Sequence, residues 1–190
     1  EVNLYQWVCS SIIAKKIKEK NPSAIIVIGG ISTKEAAITY LKNFTQFDIA
    51  MWGEGENPLL HLTEKVTDNK LDELSSIGNI AYRVNGEIIT SLIPNREFVD
   101  LSSIAIRPDY SEFFDKLECY NVPKQYALLS FENSRSCHWK KCHFCYLNMG
   151  YKFRKKDIAV TLEEIEYSIK KYGVYKIQFL DNDLIDNDFE

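Results

Sequence analysis

Apolar residues in the first part of the chain are spaced as they are in helices that alternate with buried strands. Residues 4–20 carry apolar side chains at helical intervals, at Val8, Ile12, Ile13 and Ile17. This spacing predicts an amphipathic helix, which the Asn21–Pro22 pair ends. The aliphatic run at 24–28 then predicts a buried strand that closes on Gly29 and Gly30.

The same alternation continues to residue 66. A second helix is indicated by the apolar positions Ala37, Ile38 and Leu41. Residues 47–52 predict a second strand, which runs into the sequence Gly-Glu-Gly-Glu at 53–56. The Asn57–Pro58 pair suits the start of a third helix that extends to Val66. Helices that alternate with short buried strands predict an α/β fold with an open, doubly wound, Rossmann-like sheet.

The pattern changes after residue 79 to the alternation of an antiparallel hairpin. Apolar and polar residues alternate over 80–84, and a second segment of this kind occupies 87–92. The Asn85–Gly86 pair between them is the sequence that tight hairpin turns prefer. We therefore expect a first domain over residues 1–93 that ends in a β-hairpin.

A second domain is predicted after a stretch with no sustained periodicity. Residues 94–124 contain three prolines and mixed charges, which indicates an interdomain connection. Within the domain expected at 125–190, residues 126–131 and 174–180 have the composition of strands. Between these strands, Thr161 and Glu164 have the spacing of a capping box at the start of a helix. The predicted buried stripe of this helix is Leu162, Ile165, Ile169 and Tyr172.

Composition and charge exclude several classes of protein. The chain has 190 residues, of which 45% are apolar, and its net charge of -4 argues against a general nucleic-acid binder. No apolar run approaches the roughly 20 residues that a transmembrane helix needs. Three of the five cysteines are packed into nine residues, and we expect no secretory signal. This pattern predicts a cytoplasmic protein with a metal site rather than a disulfide framework.

Cys137, Cys142 and Cys145 have the spacing CxxxxCxxC and follow the predicted strand 126–131. Three thiolates on one loop can hold an iron-sulfur cluster and leave one iron open, whereas electron-carrying clusters commonly have four cysteines. A zinc ion with His138 or His143 as its fourth ligand is an alternative. Three unliganded thiols in a reducing compartment are another.

The cysteine loop resembles that of the radical S-adenosylmethionine (SAM) enzymes. The matching residues are SRSC at 134–137 and CHFCYLN at 142–148, although this chain has four rather than three residues between its first two cysteines. With LSFEN before the loop and FRKK after it, the chain is more narrowly similar to radical SAM proteins of ribosomal peptide (RiPP) maturation. VIGG at 27–30 and GEGE at 53–56 resemble the cobalamin-binding domain that precedes the catalytic domain in such proteins.

This resemblance implies the end of a cobalamin-binding-type domain followed by the start of a partial (β/α) barrel. It implies that the three cysteines hold a 4Fe-4S cluster whose open iron binds SAM, which is then cleaved reductively. Phe144 would lie against the adenine of SAM, or else pack in the loop core. In the first domain, the Gly29–Gly30 and Gly53–Glu54 pairs would lie at the edge that receives the cobalamin tail. The DxHxxG loop that supplies a cobalt ligand in many members is absent from this sequence.

Two polar residues have a candidate role and an ordinary one. Arg154 belongs to a segment, residues 135–156, that has seven lysines and arginines and no acidic residue. The segment could hold the SAM carboxylate, offset the negative charge of the cluster or attract an acidic peptide, and Arg154 is the residue we expect to have such a role. A solvated basic surface is the alternative. Asp181 follows the last predicted strand, where the resemblance implies a contact to the SAM amino group. Its alternative is an ordinary turn residue.

The expected function is that of an internal fragment of a longer radical SAM enzyme, inactive alone, because 125–190 contains only the first part of a barrel. The resemblance implies a peptide substrate, an electron donor such as flavodoxin or ferredoxin, and methylation through cobalamin. A second expectation is radical chemistry without cobalamin, namely cross-linking, epimerisation or RNA methylthiolation. A third is a zinc-stabilised binding module without catalysis.

Overall fold

A computed structural model of the chain describes residues 4–93, 98–103, 107–145 and 152–184. The chain divides into two compact units, Glu1–Phe98 and Val99–Glu190. The division falls inside the stretch at 94–124 that the sequence predicts as an interdomain connection. Residues after Phe98 therefore belong to the second unit.

The first unit is a four-stranded sheet with helices. Its elements are α1 (Leu4–Lys20), β1 (Val27–Ile31), α2 (Lys34–Asn43), β2 (Ile49–Trp52), α3 (Glu56–Thr67), a 3-10 helix (Leu71–Ser76), β3 (Ile80–Val84) and β4 (Glu87–Thr90). The strands lie in the order β1-β2-β3-β4. Strands β1 and β2 are parallel, whereas β3 and β4 form the predicted antiparallel hairpin and β3 pairs antiparallel with β2.

Helices cover both faces of this sheet. On one face, Ala50 and Ala81 pack with residues of α1 and α2, including Ala14 and Leu41. The small alanines let these helices approach the strands closely. The opposite face contains Ile49, Met51, Ile80 and Tyr82, which pack with Leu62 of α3 and Leu74 of the 3-10 helix. The predicted α/β fold class is therefore confirmed, with a layer of helices on each side of a sheet.

The buried side of α1 differs from the predicted one. Ile12 and Ile13 are 51% and 57% exposed, and Val8 and Ile17 are exposed too. The helix instead packs through Ala14, which is 3% exposed, and through the ring of Trp7. The spacing identified the helix but not its buried side, because apolar residues occur on more than one side of α1. Of the helices in the described ranges, none combines the length and apolar character that a bilayer crossing requires.

Two element boundaries in the first unit also differ from expectation. Gly29 and Gly30 lie inside β1, not after it, and the pairing with β2 shifts register between Ile28 and Ile31. Gly30 has a φ of 73°, which is the left-handed conformation that glycine adopts without a steric penalty. Helix α3 begins at Glu56 with Gly55 as its cap, so the Asn57–Pro58 pair lies within the first turn.

The second unit contains a strand, a helix and a second strand in the predicted order. It contains α4 (Ser111–Cys119), a 3-10 helix (Lys124–Tyr126), β5 (Leu129–Phe131), β6 (Ser134–Arg135), β7 (Arg154–Lys155), α5 (Ile158–Tyr172) and β8 (Ile177–Phe179). Strands β5 and β8 are parallel neighbours, and α5 lies between them in the chain. Their core contains Leu129, Phe131 and Tyr172. This is the arrangement of the first strands of a (β/α) barrel.

Helix α4 lies in the stretch that lacks periodicity, where only a connection was predicted. Its Phe114 is buried and stacks on Tyr172 with ring centroids 4.8 Å apart. Asp109, just before α4, accepts hydrogen bonds from the Ser111 backbone and the Tyr172 hydroxyl, each 2.8 Å long. Bonds from Ser111, then from Tyr172 and Lys171, hold the pKa of Asp109 well below its usual range. The segment is therefore packed onto the second unit by both rings and hydrogen bonds.

Helix α5 begins earlier than predicted, and its buried side agrees only in part with the predicted one. Its cap is Asp157, whose carboxylate accepts the Ala159 backbone N–H at 2.7 Å, so Thr161 and Glu164 do not form the predicted capping box. Leu162 is 55% exposed. Tyr172 is buried as predicted, and Ile165 packs against the core of the second unit. The other buried residues of the helix are Thr161, Glu164 and Ser168. These three side chains are polar or charged, which is why hydrophobic periodicity did not identify them as buried.

A buried ion pair explains how this side of α5 tolerates a carboxylate. The Nζ of Lys156 lies 2.6 Å from Oε2 of Glu164, and the two side chains are only 4% and 1% exposed. The Nε of Arg107 lies 4.0 Å from the other carboxylate oxygen. Such a pair adds little net stability over an apolar pair, but removal of one partner leaves a buried charge uncompensated.

Lys156→Met is expected to lower the free energy of unfolding by about 3–5 kcal/mol, because Glu164 would lose its buried partner. Urea unfolding followed by circular dichroism measures this loss. Lys152→Met, at an exposed position, is the matched control and should change stability by less than about 0.5 kcal/mol. The double variant Lys156→Met/Glu164→Leu should recover most of the loss. Equal stability of the Lys156→Met variant and the Lys152→Met variant would contradict the pairing.

Candidate functional site

We define the cysteine loop as residues 136–145. The backbone just before this loop is held by the carboxylate of Asp181. Its two oxygens accept the Asn133 backbone N–H at 3.1 and 3.2 Å, and one of them also accepts the Ser134 backbone N–H. Asp181 follows β8, whereas Asn133 and Ser134 follow β5. Because these strands are parallel, their carboxyl ends lie at the same edge of the sheet. The carboxylate then joins them.

A second aspartate at the same edge holds the loop one step further along. Asp183 accepts the His138 backbone N–H at 3.1 Å and also contacts the Nδ1 of the His138 ring. The hydroxyl of Ser134 donates to the Asp183 carbonyl at 2.6 Å. The residues on both sides of Cys137 are thus tied to the end of β8.

The far end of the loop region is held by α5 and by a two-residue ladder. Strands β6 and β7 pair antiparallel, with Ser134 opposite Lys155 and Arg135 opposite Arg154. Asn133 connects this ladder to the helix, since its carbonyl accepts the Lys156 N–H at 2.7 Å and its side chain accepts the Thr161 hydroxyl at 2.7 Å. The chain therefore leaves the sheet and returns to it within one hydrogen-bonded frame.

The three cysteines are half-buried on this frame, and none forms a disulfide. The Cys145 N–H donates to the Cys142 carbonyl at 3.1 Å, which closes a turn between the second and third cysteines. Their side chains are not gathered into a ligand set. Across the described part of the chain, no three His, Cys, Asp or Glu side chains are arranged to hold a metal ion.

The donor chemistry nevertheless fits an iron-sulfur cluster. Thiolates are the protein ligands of such clusters, and all three lie on nine consecutive residues. Beside the first of them, the hydroxyl of Ser136 is buried without a hydrogen-bond partner among the described residues. A buried donor of this kind is unusual in a folded protein and suits a site that receives a sulfur-rich group. The residues thus fit the cluster in chemistry, while the structure does not assemble its geometry.

The remaining predicted residues of the cysteine loop lie in different environments. Phe144 is 92% exposed, so it does not pack in the loop core. Its contact with adenine stays a prediction. Arg154 is half-buried in β7 and donates through Nη1 to the Lys152 carbonyl at 3.3 Å. Asp181, predicted to contact the SAM amino group, uses its carboxylate on the loop backbone. Residues 146–148 of the resemblance lie outside the described residues.

The basic segment at 135–156 is not a uniform exposed patch. Arg135 makes a bidentate pair with Glu132, at 2.7 and 2.8 Å. Lys156 is buried against Glu164. Acidic residues just outside the segment therefore neutralise two of its seven cations. The sequence missed these pairs because the partners lie three and eight residues away from the cations they meet.

In the first unit, the predicted glycine pairs lie at one edge of the sheet. Gly53 directly follows β2 and donates its N–H to the Ile31 carbonyl of the neighbouring parallel strand at 2.9 Å. Its φ is 74°. A Cβ added at Gly29 would meet no protein atom within 4 Å, so the backbone there is open to close approach. Glu54, which follows Gly53 in the chain, is buried. This edge fits a ligand that contacts backbone, as expected at the carboxyl ends of parallel strands.

Sequence reasoning missed Asp183, Asn133 and Ser136 as parts of the site. A signal for Asp183 was present, because polar residues that follow a parallel strand commonly face the functional edge of a sheet. No comparable signal exists for Asn133 or Ser136. Their roles depend on which backbone and side-chain groups the fold brings near them.

No protein-family model matches the chain. Among curated proteins, it is 26% identical over 176 residues to an uncharacterized methyltransferase of Pyrococcus horikoshii, a match that covers 90% of this chain and 36% of the relative. It is also 28% identical over 162 residues to the anaerobic magnesium-protoporphyrin IX monomethyl ester cyclase of Rubrivivax gelatinosus, which covers 83% of this chain and 28% of the cyclase. The chain therefore spans about a third of the length of these curated relatives.

Two solved structures share the fold. One is OxsB, a cobalamin-dependent S-adenosylmethionine radical enzyme with aqua-cobalamin and SAM bound, with a TM-score of 0.69 and 19% identity. That match covers 96% of this chain and 24% of OxsB. The other is TsrM, a radical SAM methyltransferase of Kitasatospora setae, with a TM-score of 0.64, 16% identity, and coverage of 91% of this chain and 32% of TsrM. The chain thus has the fold of the corresponding part of these enzymes.

Asp181→Ala is expected to lower the free energy of unfolding by about 1–3 kcal/mol, because two backbone N–H groups would lose their charged acceptor. Thermal unfolding of the chain, followed by circular dichroism, measures the change. Asp181→Asn keeps one acceptor oxygen and should lose less. Asn182→Ala, at the exposed neighbouring position, is the control. If the Asp181→Ala and Asn182→Ala variants unfold at the same temperature, the carboxylate does not hold the loop.

Proposed function

We propose that this chain is part of a radical SAM enzyme that transfers a methyl group with the help of cobalamin. The observation that carries the proposal is the cysteine loop itself. Three thiols lie within nine residues on a loop whose start is bound to the end of the neighbouring parallel strand. The fold around this loop is the one seen in two cobalamin-dependent or SAM-dependent radical enzymes. A curated relative that is named as a methyltransferase supports the proposed methyl transfer.

Cys137, Cys142 and Cys145 would hold the 4Fe-4S cluster, which when bound supplies the electron that cleaves SAM. The role of the protein is to place and shield that group. Asp181 and Asp183 hold the backbone on both sides of Cys137. Phe144, exposed beside Cys145, is available to cover an aromatic ligand. Arg154, close to the loop through the β6–β7 ladder, would meet a carboxylate of SAM.

Cobalamin is proposed for the first unit. Gly29 in β1 leaves backbone uncovered at one sheet edge, since an added Cβ would meet no protein atom within 4 Å. Gly30 and Gly53, with φ values of 73° and 74°, have the left-handed backbone that glycine adopts without a steric penalty. Backbone without side chains admits a bulky ligand closely. Glu54 is buried next to Gly53 and would shape this edge rather than reach far from it.

The substrate and redox partner are the finer parts of the proposal. We predict a peptide substrate and an electron donor such as flavodoxin or ferredoxin, as the sequence resemblance implies. A second candidate is radical chemistry without methyl transfer. The likeness to the magnesium-protoporphyrin IX monomethyl ester cyclase favours it, since that relative is not named as a methyltransferase.

Anaerobic reconstitution of the chain with iron and sulfide is expected to give about four iron atoms per chain, with the visible absorption of a 4Fe-4S cluster. Iron analysis and absorption spectroscopy measure this. Each of the three single variants, Cys137→Ala, Cys142→Ala and Cys145→Ala, should lose the cluster. The chain carries its own controls, because Cys9 and Cys119 are exposed thiols that do not belong to the cysteine loop. Their Ala variants should bind iron as the natural sequence does.

Two results would contradict the cluster assignment. One is iron binding that survives all three loop variants. The other is one tightly bound zinc ion per chain with no cluster absorption, which would favour a zinc-stabilised binding module.

Gly29→Val is expected to weaken the binding of hydroxocobalamin at least tenfold, because its side chain would occupy space where no protein atom lies within 4 Å of the added Cβ. Equilibrium dialysis with absorption detection measures the affinity. The midpoint of thermal unfolding should stay close to that of the natural sequence, since valine is compatible with a strand. Unchanged affinity in a folded variant would remove Gly29 from the cobalamin edge.

A further inference from the structure

Two residues of the cysteine loop have a backbone conformation that their side chains disfavour. Within the described residues, six positions other than glycine have positive φ, and four of them are asparagine, which tolerates this conformation. The other two are Ser136, with a φ of 76°, and Lys140, with a φ of 50°. For a residue with a Cβ, left-handed backbone is sterically costly unless its surroundings hold it there.

The surroundings of Ser136 do hold it. On one side, Ser134 is bound to Asp181 and to the Asp183 carbonyl. On the other side, the His138 backbone is bound to the Asp183 side chain. Ser136 therefore lies between two anchored residues. Glycine would satisfy its φ at no steric cost, yet a serine occupies the position.

The side chain of Ser136 bears a second cost. The residue is only 1% exposed, and its hydroxyl has no hydrogen-bond partner among the described residues. A buried hydroxyl that gives up water without a protein partner is destabilising. Both the backbone and the hydroxyl of Ser136 are thus unfavourable for the fold alone, and both lie directly before Cys137.

We propose that the hydroxyl of Ser136 donates a hydrogen bond to a sulfur of the cluster held at Cys137, either the cysteine thiolate or a bridging sulfide. This inference rests on the proposed function, because it requires the cluster. Adjacent residues have Cα atoms only about 3.8 Å apart, so a serine hydroxyl is within reach of sulfur bound at the next residue. A sulfur acceptor would satisfy the donor that the fold leaves without a partner.

Such a bond would tune the cluster. Reduction adds negative charge to the sulfurs, so a donated hydrogen bond stabilises the reduced form and raises the reduction potential. Ser136 would then be a positioning and tuning residue, and the three cysteines alone would hold the cluster. The left-handed backbone at Ser136 would be retained because it directs this hydroxyl.

Redox titration of the reconstituted full chain, monitored by the electron paramagnetic resonance signal of the reduced cluster, tests the proposal. Ser136→Ala removes the hydroxyl and keeps a Cβ at positive φ, whereas Ser136→Gly removes the hydroxyl and relieves the backbone. Both variants should bind as much iron as the natural sequence and have a more negative reduction potential. The shift should be similar in the two, since both lose the same donor.

Thermal unfolding before reconstitution separates the hydroxyl from a purely structural role. If the hydroxyl serves the cluster, Ser136→Ala should unfold at the same temperature as the natural sequence or higher, and Ser136→Gly at a higher one. A lower unfolding temperature for Ser136→Ala, together with an unchanged potential, would overturn the inference, because the hydroxyl would then bond within the protein.

The outcomes for the natural sequence and for the variants are distinct. If the natural sequence binds no cluster, the proposed function fails and takes this inference with it. If it binds a cluster whose potential is the same in Ser136→Ala and Ser136→Gly, only the role of Ser136 fails.

Discussion

The hydrogen bonds from loop backbone to the carboxylates of Asp181 and Asp183 are the constraint on which the rest of the site depends. Both aspartates follow β8, and the backbone they bind follows β5, so the bonds exist only because these two strands are parallel neighbours. A carboxylate accepts several N–H groups at once, and such charge-assisted bonds are stronger than neutral ones. The loop is thereby placed at one edge of the sheet before any ligand contributes.

The buried side of α5 extends this constraint into the second unit. Thr161 donates to the side chain of Asn133, and Glu164 pairs with Lys156, whose backbone N–H donates to the same asparagine. An apolar side would pack as densely, but it would not specify where the chain leaves the sheet and where it returns. Polar contacts have direction, so they define one path for the loop. This specificity carries the cost of desolvating a charged pair.

The two candidate sites use different chemistry. In the second unit, side chains supply the donors, and the frame decides where the thiols lie. In the first unit, the absence of a side chain is the useful feature, since Gly29 leaves backbone uncovered where β1 pairs with the parallel strand β2. A thiol site needs donor atoms at defined positions, whereas a large organic ligand needs space and shape.

The sequence by itself determined the order of helices and strands, the α/β class, the hairpin at Asn85–Gly86 and the identity of the three thiol donors, because periodicity, turn chemistry and ligand spacing are local properties. It did not determine that α1 buries Ala14 rather than Ile12, or that α5 buries Glu164 rather than Leu162. Nor did it identify the partners of Asp181 and Asp183. Only the tertiary structure decided these points, since the burial of a face and the partner of a carboxylate depend on residues that lie far apart in the chain and meet when it folds.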